Sequence, residues 1–148
     1  MKRKGYAVWK GGLREGRGLV STESQTLSDA SYSFAARFET GSGTNPEELI
    51  AAAHAACFSM ALSAELEKVG LSPAEIRTQA MLTLEKQESG YRVTGIRLDV
   101  RAKVPGADPA VFPAAAQTAK AGCPVSALLN VPITMTAELE EASAAAHN

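Results

Sequence analysis

One stretch of the sequence decides the fold: residues 45–69 read NPEELIAAAHAACFSMALSAELEKV. Asn45 can accept a hydrogen bond from the N–H of Glu48, and Pro46 suits the first helical position. The two acids after Pro46 favour the positive end of a helix dipole, and Gly70 is a typical stop signal. The pattern therefore predicts one long helix over about residues 45–69. Because this segment is apolar nearly all round, we expect the helix to be buried on most sides.

Strand patterns precede this helix. Turn glycines separate short runs rich in Val, Tyr, Thr and Phe, which predicts strands at about 5–10, 13–23 and 31–39. In the third strand, alternation places Arg37 on the face opposite an apolar row. That row consists of Tyr32, Phe34, Ala36 and Phe38.

Five further elements are predicted after the long helix. They are a β-hairpin at 76–88 and 91–104, an alanine-rich helix at 108–121, a helical turn from Cys123 to Leu129, and a strand at 131–139. The predicted order is βββ-α-ββ-α-α-β, which indicates the α+β class. Helices this apolar carry more apolar surface than one short chain can bury. We therefore expect a homodimer that shares them.

Length and composition narrow the classes of function. A chain of 148 residues with 45% hydrophobic and 21% charged residues predicts one domain, over 1–141, with a disordered tail at 142–148. A net charge of -1 leaves no basic excess for nucleic acid or for an anionic membrane surface. Within the long helix, residues 49–64 contain no Lys, Arg, Asp or Glu, and this run is shorter than the ~20 apolar residues that a bilayer requires. No signal-peptide pattern is recognisable at the start, so we expect a cytoplasmic protein.

The two cysteines are the strongest candidates for chemistry. Motifs for nucleotide binding and serine hydrolysis are missing from the sequence, and two cysteines are too few for a secreted disulfide scaffold. Cys57 lies inside the long helix, where a small buried thiol is an equally good interpretation. Cys123 precedes Pro124 at the start of a helical turn, which favours a thiolate, although an inert helix cap remains open. Any disulfide between them should be transient.

Three other side chains deserve an interpretation. His54 is most simply a core histidine, although with Cys57 and Cys123 it offers three ligands for a metal such as zinc. Arg37 is either an exposed charge or a cation directed at a site, and Glu48 is explained by the helix cap alone. Glu48 and Cys57 are separated by about 180° and about 13.5 Å on a regular helix. They share a site only if the helix is distorted or if they come from different subunits.

Two motifs identify a resemblance. GTNPEEL at 43–49 runs into AAHAACF at 52–58, and KAGCPVS follows at 120–126. In this order, with Cys57 and Cys123 separated by 66 positions, they resemble the OsmC/Ohr family of thiol peroxidases, and PVS is similar to the OsmC branch. The similarity extends over the chain to about Leu139.

The resemblance implies a function and a site. Members of this family are antioxidant stress-response enzymes that reduce organic hydroperoxides and hydrogen peroxide through a two-cysteine cycle in an intertwined homodimer. By position, Cys57 is the peroxidatic thiolate and Cys123 the resolving thiol, while Arg37 and Glu48 are the polar pair that tunes Cys57. A guanidinium at ~4–6 Å lowers the pKa of an acid by about 1–3 units, and we expect a bidentate pair between Glu48 and Arg37 to hold that guanidinium.

Partners and rival functions follow from the same residues. The cycle requires a thiol reductant, either a dihydrolipoyl protein or a small thiol, and no flavin, haem or metal cofactor. Apolar neighbours of Cys57 suit alkyl hydroperoxides; they are Phe58, Met60 and Leu62. The alternatives are a non-catalytic dimeric binding module for an apolar ligand and a metal-binding protein.

Overall fold

The structure is a computed structural model that describes residues 1–141, and the chain separates into two compact units, Met1–Leu49 and the part from Ile50 onward. The elements follow in the order βββ-α-α-ββ-α-α-β. The α+β class is therefore confirmed, with one short helix more than predicted. The disordered tail predicted at 142–148 lies outside the described residues, and the single domain over 1–141 stays a prediction.

The first unit contains a three-stranded antiparallel sheet. Its strands are β1 (Gly5–Lys10), β2 (Arg17–Thr22) and β3 (Ala30–Tyr32), hydrogen-bonded in the order β1-β2-β3. β1 matches its prediction, whereas β2 is shorter than expected because a turn occupies the residues before Gly16.

The strand predicted at 31–39 is wrong beyond Tyr32. A short helix, α1 (Phe34–Phe38), follows instead, and the hydroxyl of Ser33 caps it by accepting the N–H of Ala36 at 3.1 Å. The rings of Phe34 and Phe38 pack with centroids 4.9 Å apart. Aromatic residues four positions apart lie on the same face in a helix as well as in a strand. Alternation alone therefore did not distinguish the two. The guanidinium of Arg37 accordingly lies 5.0 Å from the centroid of Phe38 and does not point away from the aromatic side chains.

The long helix, α2 (Pro46–Lys68), begins as predicted. The N–H of Glu48 donates to Oδ1 of Asn45 at 2.8 Å. The expected burial on most sides is wrong for the described chain, since the buried residues follow one i, i+4 row: His54, Phe58, Leu62 and Leu66. Only this face meets the core of the chain, and Met60 on another face is 76% exposed.

The second unit builds its core on a sheet. β4 (Glu75–Gln87) and β5 (Gly90–Lys103) form the predicted antiparallel hairpin, and β6 (Ile133–Glu140) pairs in parallel with β5. The remaining helices are α3 (Phe112–Gly122) and α4 (Pro124–Leu128), close to their predicted places. The core joins the buried row of α2 to the inner faces of β5 and α3; it includes Phe58, Leu62, Leu66, Leu98, Val100, Phe112 and Ala116.

By length and composition alone, α2 would also be able to cross a membrane. Phe58, Leu62 and Leu66 instead belong to the core of the second unit and are fully buried there. A row of large residues packed against a sheet is typical of a core helix.

Candidate active site

The two cysteines come together within the second unit. Cys57 lies about three turns into α2, and Cys123 is the residue that ends α3 and begins α4. Both are free thiols, and their side chains lie close enough that each affects the pKa of the other. Cys123 is fully buried, whereas Cys57 is partly exposed. A partly exposed cysteine therefore has a buried cysteine as its immediate neighbour.

The surroundings of the two sulfurs have opposite effects on their acidity. Burial raises the pKa of Cys57, the hydrogen bond with Cys123 raises it further, and the backbone N–H of Val125 opposes both. Burial also raises the pKa of Cys123, but hydrogen bonds from Cys57, from the backbone and hydroxyl of Ser126, and from the backbone of Val125 outweigh it. The pKa of Cys123 is therefore lowered.

A buried histidine lies next to this pair. His54 is fully buried, and its Nε2 lies 2.8 Å from Oγ of Ser126. Burial lowers the pKa of His54, so that the ring is neutral. Sequence reasoning left His54 as a core histidine and gave Ser126 no role. Their spacing was a usable signal, because His54 is three residues before Cys57 and Ser126 is three residues after Cys123.

Arg37 and Glu48 belong to the first unit, and the structure does not join them in the expected pair. Nη2 of Arg37 donates to Oε1 of Glu47 at 2.6 Å, and Nε donates to Oε1 at 2.9 Å and to Oε2 at 3.1 Å. Oε1 of Glu48 instead accepts the hydroxyl of Thr44 at 2.6 Å. At the start of α2 the side chain of Glu47, which is 13% exposed, faces Arg37, whereas Glu48 is exposed.

Arg37 also borders an apolar cavity of the first unit. The cavity has a volume of about 280 Å³. Its walls are Trp9, Leu13, Tyr32, Ser33, Phe34, Arg37, Phe38 and Pro46. A cavity of this size and apolar lining fits an alkyl or aryl group. The guanidinium of Arg37 provides one cation at its wall.

The apolar neighbours of Cys57 that were expected to suit alkyl hydroperoxides differ in their exposure. Phe58 and Leu62 are fully buried in the core, because their helical positions face the sheet, and they leave no open surface. Met60 is exposed. Within the described chain, Phe58 and Leu62 therefore offer no surface to a substrate, and the preference for alkyl hydroperoxides stays a prediction.

A metal site has little support from the geometry. Among residues 1–141, no group of three or more His, Cys, Asp or Glu side chains is arranged to hold a metal ion. Nε2 of His54 is engaged by Ser126. The grouping of His54, Cys57 and Cys123 as ligands therefore does not occur in the part of the chain that the structure describes.

Comparison with known proteins assigns the family. The family model described as "OsmC-like protein" matches residues 39–138. A relative from Escherichia coli (strain K12), "Peroxiredoxin OsmC", is 49% identical over 138 residues, which cover 93% of this chain and 96% of that protein. The chain belongs to the OsmC family. The resemblance found in the two cysteine motifs is thus confirmed.

More distant members of the OsmC family show the same relationship. The "Organic hydroperoxide resistance protein" of Xanthomonas axonopodis pv. citri is 34% identical over 99 residues, covering 65% of this chain and 68% of that protein. Among solved structures, the organic hydroperoxide resistance protein OhrB of Bacillus subtilis has a TM-score of 0.68 and 25% identity, covering 93% of this chain and 98% of that one. An OsmC-like protein of unknown function from Vibrio cholerae has a TM-score of 0.74 at 14% identity, covering 93% and 99% of the two chains. The last of these shows the fold alone.

The matched OsmC segment contains Glu48, Cys57 and Cys123, and Arg37 lies two residues before it. Arg37 and Glu48 are in the first unit, whereas the cysteines are in the second. The approach of Arg37 and Glu48 to Cys57 therefore stays a prediction.

Proposed function

We propose that this OsmC family member is a peroxidase that reduces organic hydroperoxides, and also hydrogen peroxide, through Cys57 and Cys123. The observation that carries the proposal is the close approach of two free thiols that lie 66 residues apart in sequence. A partly exposed sulfur can meet a peroxide, and a buried sulfur in contact with it can form a disulfide after small movements. The names of the relatives, peroxiredoxin and organic hydroperoxide resistance protein, agree with this chemistry.

The first step uses the single proton of the cysteine pair. Transfer of a proton from Cys57 to the neighbouring Cys123 leaves Cys57 as the thiolate, which is the nucleophilic form. The sulfur of Cys57 attacks the terminal oxygen of the hydroperoxide, the O–O bond breaks, and Cys57 becomes a sulfenic acid. The departing alkoxide takes the proton that Cys123 then carries, which yields the alcohol and returns Cys123 to the thiolate.

The second step forms the disulfide. The thiolate of Cys123 attacks the sulfur of the sulfenic acid, the S–S bond forms, and the S–O bond breaks with loss of hydroxide. The pair has then given two electrons to the peroxide. A dithiol or two thiol molecules, as in a dihydrolipoyl protein or a small-thiol pool, return these electrons by thiol–disulfide exchange and regenerate both cysteines. These steps balance without a flavin, haem or metal ion.

Arg37 and Glu48 are proposed as the polar residues that tune Cys57, on the strength of the resemblance. A guanidinium near the sulfur stabilises the thiolate of Cys57 and so favours the proton transfer that precedes attack. The bidentate contact with Glu47 supports this role, because it fixes the direction of the Arg37 side chain.

We further propose a homodimer that covers the exposed face of α2. Ala52, Ala56, Met60 and Ala64 lie at i, i+4 spacing on this helix and are all exposed within the single chain. Small residues let two helices approach closely, and a continuous apolar row is costly to leave in water. A protein with two reactive thiols and no structural disulfide suits the reducing cytoplasm, which is the proposed location.

The test is a thiol peroxidase assay on the purified protein. Cumene hydroperoxide is the substrate, dihydrolipoamide is the reductant, and Cys57→Ser and Cys123→Ser are the controls. We expect turnover in the wild type, with loss of both free thiols after one equivalent of peroxide, and no turnover in either variant. Thiols that survive this treatment would favour the non-catalytic binding module, for which the apolar cavity of the first unit is the supporting feature.

A further inference from the structure

The turn between β1 and β2, residues 11–16, is held against the ring of Trp9. A backbone hydrogen bond of 2.8 Å from the N–H of Gly16 closes the turn, and Nε1 of Trp9 donates to a backbone oxygen of the turn at 3.0 Å. A Cβ at Gly16 would come within 2.7 Å of the Trp9 ring, so this close approach requires glycine. The turn thereby fixes the place of Leu13, which lines the apolar cavity of the first unit, and of Arg14 after it.

Arg14 stacks on a side chain that forms part of the cavity wall. The central carbon of its guanidinium lies 4.6 Å from the centroid of the Phe34 ring, which is a cation–π distance. Phe34 itself lines the cavity. Among residues 1–141, no carboxylate lies within ion-pair distance of Arg14. The guanidinium is therefore positioned by a ring and is available to an anionic ligand.

The other arginine of this cavity already has an anionic partner. Arg37 lies in the wall, but its Nε and Nη2 donate to both carboxylate oxygens of Glu47. Such a bidentate pair occupies one edge of the guanidinium and matches its charge. In the described chain, Arg37 is the only charged residue among those that line the cavity. The unmatched charge beside the cavity is therefore the single positive charge of Arg14.

The walls of the cavity are suited to an aromatic ring. Half of the lining residues are aromatic, namely Trp9, Tyr32, Phe34 and Phe38. Trp9 and Tyr32 are tilted with ring centroids 5.4 Å apart, and Phe34 and Phe38 are tilted with centroids 4.9 Å apart. Aromatic rings favour such tilted contacts with a further ring. The volume of about 280 Å³ is at the lower end for ligand pockets, so it fits one aryl group better than a long alkyl chain.

We propose that this cavity is a binding site for a small aryl carboxylate, whose ring lies among the aromatic walls and whose carboxylate pairs with Arg14. The binding uses neither cysteine and no step of the peroxidase cycle, so it goes beyond the proposed function. Burial of the ring supplies most of the affinity, and the carboxylate–guanidinium contact selects the charge of the ligand. A neutral ligand of the same shape lacks that contact, and a cationic one is repelled.

The single tryptophan of the chain provides the readout for a binding experiment. Trp9 forms part of the cavity wall, so a ligand in the cavity changes its fluorescence. The probes are 4-phenylbutyrate, 4-phenylbutanol and 4-phenylbutylamine, which share one hydrocarbon skeleton and differ in charge. In titrations of the purified protein at low ionic strength, we expect a saturable change with 4-phenylbutyrate. The Kd should be roughly fivefold higher for the alcohol and higher still for the amine. Octanoate should bind more weakly than 4-phenylbutyrate.

Three variants separate the charge from the apolar contacts. Arg14→Gln should raise the Kd of 4-phenylbutyrate to that of the alcohol and leave the Kd of the alcohol unchanged. Leu13→Ser removes part of the apolar wall and should weaken all three phenyl probes alike. Arg3→Gln is the matched control, because Arg3 is another exposed cation of the first unit and lines a different cavity. It should bind every probe as the wild type does.

Three results would overturn the proposal. No saturable change in Trp9 fluorescence, as when a second copy of the chain fills the cavity, would refute the site itself. Equal binding of the three phenyl probes, or equal effects of Arg14→Gln and Arg3→Gln, would refute the role of Arg14. Octanoate that binds as tightly as 4-phenylbutyrate would refute the preference for an aryl group.

Discussion

The position of one proton between Cys57 and Cys123 determines what each sulfur can do. The start of a helical turn at Cys123 had indicated an acidic thiol, and the lowered pKa of Cys123 agrees with that indication. The resemblance assigns the attack on the peroxide to Cys57. The pKa of Cys57 is raised, and burial is the largest cause. Both statements hold if the proton moves between the sulfurs before the attack, because the thiolate needs to be on Cys57 only at that moment.

Some features of the candidate site were predictable from the sequence, and others were not. Cys57 and Cys123 lie in recognisable motifs, whereas the role of Arg37 came from the resemblance alone. The pairing of Arg37 with Glu47 was not predictable, because two adjacent carboxylates at a helix start differ by about 100° in direction, and no spacing rule chooses between them. The link between His54 and Ser126 depends on packing between distant segments, which one sequence does not display.

The choice of carboxylate can be tested directly. Arg37 contacts Glu47 in a bidentate arrangement, whereas Glu48 contacts Thr44. We expect Glu47→Gln to slow the oxidation of Cys57 severalfold, because the neutral amide loosens Arg37, and Glu48→Gln to slow it less. Stopped-flow oxidation by cumene hydroperoxide under identical conditions compares the two. A larger effect of Glu48→Gln would restore the pair expected from the sequence.

Burial of His54 predicts a pH-dependent stability. Its pKa is lowered from 6.5 by burial, so the unfolded chain binds a proton that the folded chain does not. The contribution is full above the unfolded pKa and is lost as the pH falls through the folded pKa. We therefore expect the free energy of unfolding in urea to decline as the pH drops below about 6.5. His54→Gln should show a shallower decline, and identical slopes would contradict the assignment.

Helices and strands were predicted well where the signals are local. The start of α2 follows from its capping residue, Asn45. The hairpin of β4 and β5 follows from a turn glycine, and the break between α3 and α4 follows from Pro124. The prediction of a strand over α1 was wrong because five residues hold too few periods to separate alternation from helical spacing. The burial of α2 was misjudged for another reason: composition gives the apolarity of a helix but not the number of neighbours that cover it.

The start of α2 offers a clean test of its cap. Oδ1 of Asn45 accepts the N–H of Glu48, and Nδ2 of Asn45 donates to the backbone oxygen of Ala36 at 3.2 Å. Asn45→Ala should lower the free energy of unfolding by about 1 kcal/mol, the usual value of a lost cap. Asn45→Asp keeps the capping oxygen and should lose less. Urea denaturation measures both, and equal losses would assign the effect to the bond with Ala36.

The assembled protein is expected to be a dimer because only one face of α2 is covered within a single chain. We predict that light scattering gives twice the chain mass of 15.5 kDa. Met60→Glu places a charge in the exposed row of α2 and should yield monomers. Met81, on β4, is also exposed at 52%, so Met81→Glu is the matched control and should remain dimeric. Monomeric wild type, or equal effects of the two variants, would refute the proposed interface.

The order of the two sulfurs is the point on which the enzymatic account depends most. One equivalent of cumene hydroperoxide is added to Cys57→Ser and to Cys123→Ser in the presence of dimedone, and intact mass spectrometry detects the trapped sulfenic acid. The account predicts the adduct in Cys123→Ser, on Cys57, and none in Cys57→Ser. An adduct on Cys123 in Cys57→Ser, with none in the other variant, would contradict it.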